Sequence, residues 1–83
     1  MKVYVLNFYD MDDRATTAGV FSSYSAMLTW LNKTYGYTSV LECEGWFKEW
    51  LIIEGQKFDV GYDEFDVVGE HSHKTNTINF KEV

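Results

Sequence analysis

One segment of this chain is written in a helical period, and nearly all the rest alternates in twos. Tyr24, Met27, Leu28 and Leu31 fall at i, i+3, i+4 and i+7, with Ser22 or Ser23 ahead as a cap and Gly36 behind as a stop. Trp30 widens the stripe. A lone amphipathic helix is held mainly by what its apolar stripe packs against, so the remainder of the chain must supply that surface. Lys2 to Tyr9 alternates Val3, Val5, Asn7 and Tyr9 against Tyr4, Leu6 and Phe8, a run with both faces largely apolar that predicts an interior strand. Asp10-Met11-Asp12-Asp13-Arg14 breaks the pattern with turn-favouring side chains, and Ala18 to Phe21 predicts a short second strand, closing a hairpin.

Beyond Gly36, Tyr37 to Cys43 is β-branched and aromatic enough for a strand. From Cys43 to Leu51 two readings stay open: Trp46, Phe47, Trp50 and Leu51 recur at helical spacing, whereas a strand with a turn or bulge at Gly45 is the favoured alternative, and Trp50 to Ile53 reads equally as a buried strand. Glu54-Gly55-Gln56 is a turn, and Lys57 to Tyr62 alternates Phe58, Val60 and Tyr62 against Asp59 and Gly61, which turns Asp59 and Asp63 to solvent together. Asp66 to Val68 and Thr77 to Phe80 are two further short strand candidates. The order is β-β-α-β-β-β, extendable by a sixth strand: an α+β fold with a small antiparallel sheet and one helix packed on a face.

Eighty-three residues support one core, so residues 1–83 are expected to form a single domain. With 46% hydrophobic and 18% aromatic residues, that core has enough large rings to offset the chain entropy of a small domain. A single cysteine, Cys43, cannot form an internal disulfide, and no signal-like or membrane-spanning apolar run is present, so a cytoplasmic protein is expected.

The charge is concentrated. Between Glu42 and Glu70 nine acids stand against two lysines, net −7, while the rest of the chain sums to +1. Such a field repels nucleic acid and steers encounters with basic surfaces, so direct binding to DNA or RNA is excluded and a basic protein surface is the expected partner. Within the stretch, Trp46, Trp50, Tyr62 and Phe65 are interspersed with Glu44, Glu49, Asp63, Glu64 and Asp66, and protein interfaces concentrate rings as anchors inside a charged rim. The candidate partner-binding residues are Glu49, Glu54, Asp59, Asp63, Glu64, Asp66, Trp46 and Trp50. The plainer account of the same acids is solubility.

His71-Ser72-His73 is the sharpest local motif, because residues two apart in extended backbone point the same way and could present a chelating pair to zinc. Two ligands do not complete a site. Cys43 or a carboxylate such as Asp10 would have to join them, and the alternative is that both histidines are solvated and Cys43 is a small core residue. Asp10-Met11-Asp12-Asp13 opens like a calcium loop but lacks the glycine and late glutamate such a loop needs, so it reads as a turn. No phosphate loop, nucleophile elbow or zinc-protease helix occurs, and Cys43 has no sequence neighbour to activate it, so no enzyme is expected.

Lys2-Val3-Tyr4-Val5-Leu6, the segment Ala18-Gly19-Val20-Phe21-Ser22-Ser23 and the helix after it resemble small proteins of Firmicutes and their phages over about the first 35 residues; the likeness implies a fold and no activity. In length, charge sign and concentrated acids the chain also resembles phage anti-CRISPR proteins, short acidic inhibitors of Cas9. That likeness implies stoichiometric binding to a basic, nucleic-acid-handling surface of Cas9 as a DNA mimic, in the cytoplasm of the bacterial host. Some such inhibitors carry a structural metal, which would suit His71 and His73. The expected function is therefore a non-catalytic inhibitor. A phage accessory or structural interaction module and a small metalloenzyme are the alternatives.

Overall fold

A computed structural model describes residues 1–67 of the 83-residue chain. Among them are one helix and six strands in the order β1 (Lys2–Tyr9), β2 (Ala15–Phe21), α1 (Tyr24–Tyr35), β3 (Leu41–Cys43), β4 (Trp46–Phe47), β5 (Leu51–Ile53) and β6 (Gln56–Asp66). The strands form an antiparallel sheet ordered β2-β1-β6-β4-β3, with β5 paired to the start of β6. This is the α+β class expected, with β1 and β6 at its centre.

Local chemistry sets the boundaries. Asp10 closes the first hairpin: its Oδ1 accepts from the backbone N–H of Asp12 at 2.9 Å and of Arg14 at 3.0 Å, an Asx turn that satisfies the loop's donors. Ser23, in extended backbone, accepts from the Ala26 N–H at 3.0 Å and caps α1. Gly36 ends it at φ 68°, donating to the Asn32 carbonyl at 2.8 Å, a left-handed turn that suits glycine. Glu54 and Gly55, both at positive φ (51° and 83°), form the two-residue turn between β5 and β6.

The helical stripe is covered as its spacing requires. Met27 and Leu31 are fully buried against Leu6, Phe8 and Val60 from the two central strands, and Phe47 and Leu51 close the same core. Tyr24, Leu28 and Trp30 pack at its margin. Strand alternation accounts for the choice: Tyr4, Leu6 and Phe8 of β1 and Phe58, Val60 and Tyr62 of β6 share the face that meets the helix.

One open reading resolves to its favoured alternative, and two strand expectations are corrected. The Cys43 to Leu51 segment is strand and turn, not helix: Glu44-Gly45 turns between β3 and β4, with Gly45 at φ 85° and its carbonyl accepting from the Tyr62 N–H at 2.9 Å. The strand expected over Tyr37 to Cys43 shrinks to β3, because Tyr37 turns inward instead, its ring edge-on to Phe47 at 5.9 Å and its hydroxyl donating to the Glu49 carbonyl. Asp66 does not begin a new strand. It ends β6, which runs unbroken through Asp63 and Glu64 because β1 pairs with that part of it residue by residue, from Tyr9 opposite Asp59 to Lys2 opposite Asp66. Thr77 to Phe80 lies outside the described residues.

Candidate functional site

The helix occupies one face of the sheet, and no element among the described residues covers the other. Residues directly opposite in register share a face, so this second face carries Val3, Val5, Asn7 and Tyr9 from β1 beside Phe65, Asp63, Gly61 and Asp59 from β6. Trp46 of β4 stands opposite Gly61 on its other side. A Cβ at Gly61 would lie 2.9 Å from the indole and from the Gly45 carbonyl oxygen, so only glycine lets the Trp46 ring lie down against the sheet there. The Tyr9 ring packs against the indole, with centroids 5.0 Å apart and planes tilted by 47°.

A polar chain crosses three strands on this face. The Thr17 hydroxyl donates to Asn7 Oδ1 at 3.0 Å, and Asn7 Nδ2 donates to Asp63 Oδ2 at 3.3 Å. Asn7 is the one buried polar side chain among the described residues, and the chain satisfies both ends of its amide. Asp59 makes no hydrogen bond or ion pair among the described residues and is open to solvent.

The face continues past Asp59 to Lys57, two residues on and on the same side, which reaches over the Trp50 ring at 5.4 Å from its centroid. Ile52 stands opposite Lys57 in the β5–β6 ladder. Trp46 (40% exposed), Trp50 (46%), Ile52 (55%) and Phe65 (47%) all belong to this side. A run of large apolar side chains this exposed, interrupted by carboxylates, has the composition of an interaction surface.

Asp59, Asp63, Trp46 and Trp50, four of the residues expected to bind a partner, are therefore gathered on one side of the sheet. The others are not. Glu64 and Asp66 alternate to the opposite side, where the Lys2 ammonium lies 3.6 Å and 3.4 Å from them, and Tyr4 donates to Glu64 at 3.3 Å. The Asp66 and then the Glu64 charge raise the Lys2 pKa, and desolvation followed by Glu64 raises that of the Tyr4 hydroxyl. Glu54 sits in the β5–β6 turn, and Glu49 lies between β4 and β5, its N–H bonded to Ser39 Oγ at 3.0 Å. Sequence reading passed over Asn7, Tyr9, Thr17 and Gly61 as parts of this surface. The available signal was Gly61, a glycine between two outward acids in an otherwise clean strand.

Of the proposed metal ligands, His71 and His73 lie outside the described residues. Cys43 is exposed at the end of β3, so the expectation of a core cysteine is corrected. Asp10 is committed to its turn, and the backbone N–H of Arg14 holds its carboxyl below the usual range, with that of Asp12 adding to the effect and desolvation opposing it. Among the described residues no three His, Cys, Asp or Glu side chains gather as a metal site. No helix of the described residues is long and apolar enough to cross a membrane. Comparison with protein-family models, curated proteins and solved structures finds no match to this chain.

Proposed function

We propose that the chain is a non-catalytic binding protein that inhibits a partner by occupying its basic, nucleic-acid-handling surface. The observation that carries this reading is the open sheet face, where Asp59 and Asp63 stand among exposed Trp46, Trp50 and Phe65. Carboxylates set in an aromatic floor suit a surface that is cationic and partly apolar, and they repel free nucleic acid. Cas9 is the specific candidate, on the resemblance to anti-CRISPR inhibitors, and the bacterial cytoplasm is then the site of action. A cleavage assay with purified Cas9, guide and target tests it. Added protein is expected to block cleavage, to lose potency steeply as salt shortens the screening length from about 30 Å towards about 8 Å, and to be displaced by excess guide. Unhindered cleavage at low salt overturns Cas9 as the partner.

The apolar residues of the same face favour a second reading, an accessory module that docks on another protein with no nucleic-acid channel involved. Such a complex would persist at high salt and ignore competing nucleic acid. A structural zinc on His71 and His73 remains a separate proposal. Elemental mass spectrometry of untagged protein tests it, with about one equivalent expected if the metal supports the fold.

A further inference from the structure

We propose that Trp46, with Asp59 and Asp63 on either side, receives an arginine side chain of the protein partner. This rests on the reading above that the partner surface is basic, and it adds where that surface docks and through which side chain. The inner side of the indole rests on the Gly61 backbone, and the Tyr9 ring packs against it at a 47° tilt, so the ring keeps its orientation with no partner present. The side chain is 40% exposed, and among the described residues no cation covers the side of the ring away from Gly61. Asp59 and Asp63 stand two residues before and after Gly61 on that same side, each about 7 Å along the strand from it. Asp59 has both carboxylate oxygens without a partner among the described residues, and Asp63 has one, since Asn7 engages only Oδ2.

A planar cation laid on the outer indole would therefore find a carboxylate within side-chain reach on each side. Guanidinium meets that demand better than ammonium, because it stacks on a ring and forks to a carboxylate at once. The molecule already contains a smaller version of the contact: Lys57 sits over Trp50, the other exposed tryptophan of this side. Among the described residues Trp50 is thus occupied from within, and Trp46 is the tryptophan of this side left for a partner. Val3, Val5 and Phe65 continue the floor from Asp63 and would take the apolar residues flanking the arginine. Two copies of this face would bring like charges together, which disfavours self-association through it.

Titration of the full-length, nitrogen-15-labelled chain with nona-arginine and with nona-lysine at low salt tests the proposal, followed by backbone amide and indole resonances. Nona-arginine is expected to bind several-fold more tightly than nona-lysine and to shift the Trp46 indole with the Tyr9 and Gly61 amides. Removing two charges here, Asp59→Asn with Asp63→Asn, is expected to weaken it about tenfold or more, and Trp46→Leu similarly. Removing two charges on the other side, Glu64→Gln with Asp66→Asn, is expected to weaken it much less. Equal losses in the two double variants, or an unmoved indole, overturn the arginine site and leave the basic-partner reading standing. Absence of binding by either peptide overturns both. Self-association that buries Trp46, read by sedimentation, also overturns the site.

Discussion

The two faces of this sheet are made by the same two central strands, yet they are built on opposite terms. Alternate residues of β1 and β6 give Tyr4, Leu6, Phe8, Val60 and Tyr62 to the helix side and Val3, Val5, Tyr9, Asp59, Asp63 and Phe65 to the open side. The covered side contains the fully buried Leu6, Met27, Leu31 and Val60. The open side keeps its large rings partly in water and joins Thr17, Asn7 and Asp63 in a chain of hydrogen bonds. The difference teaches that apolar content alone does not assign a face to the core. What assigns it is which alternate set the helix meets, and the set left over is free to carry function.

The comparison breaks first if truncation costs the same on both faces. Leu6→Ala or Met27→Ala removes a side chain with no exposure, and about 2–5 kcal/mol of stability is expected to go with it. Phe65→Ala on the open side is expected to cost less than about 1 kcal/mol, since nearly half of that ring already faces solvent. Urea denaturation of the three variants measures both. A loss at Phe65 as large as that at Leu6 would mean that the open side is in fact covered.

Most of the covered side was legible in the sequence, and little of the open side was. The stripe of Tyr24, Met27, Leu28 and Leu31, its Ser23 cap and its Gly36 stop are local signals that survive folding unchanged. The alternation of Phe58, Val60 and Tyr62 gave the partner face directly. The strand lengths were not local: Asp63 and Glu64 side by side resemble a turn until β1 is laid along them, and the pairing that keeps them extended joins residues far apart in sequence. The acids could be counted but not sorted, because whether Glu64 and Asp66 join Asp59 or oppose it depends on β6 continuing in register to Lys2. Trp46 was visible as a ring. Its seat on Gly61 was not, since that contact joins β4 to β6 across the sheet.

Gly61 gives the next largest test, because it belongs to both faces' construction. Alanine there would bring Cβ to 2.9 Å from the Gly45 carbonyl oxygen, a backbone atom that cannot swing aside, as well as from the indole. Gly61→Ala is expected to cost about 1–3 kcal/mol and to lift Trp46 off the sheet, seen as a red-shifted tryptophan emission. Unchanged emission with full stability would show that the ring does not rest there. Asn7 comes below it. Asn7→Ala leaves the Thr17 hydroxyl and Asp63 to find water, and about 1 kcal/mol is expected to be lost in thermal unfolding, less than for Leu6→Ala on the same strand.

The smallest effect lies off both faces, at the turn that joins β1 to β2, and it sharpens the comparison by showing what a charge does when it has a structural partner. Asp10 accepts two backbone N–H bonds, and these hold its carboxyl below the ordinary 3.8 despite some desolvation, whereas Asp59 has no such partner among the described residues. A carboxyl lowered on folding contributes stability above its unfolded value and loses it as pH falls through the folded one. The contribution of Asp10 is therefore present at neutral pH, begins to fade near pH 3.8 and is gone below its folded pKa. Asp10→Asn keeps a side-chain oxygen for the turn and removes the charge, so the variant is expected to be slightly less stable than the parent at pH 7 and to match it in strong acid. A gap between the two that stays constant from neutral pH to acid would mean that shape, and not charge, holds the turn.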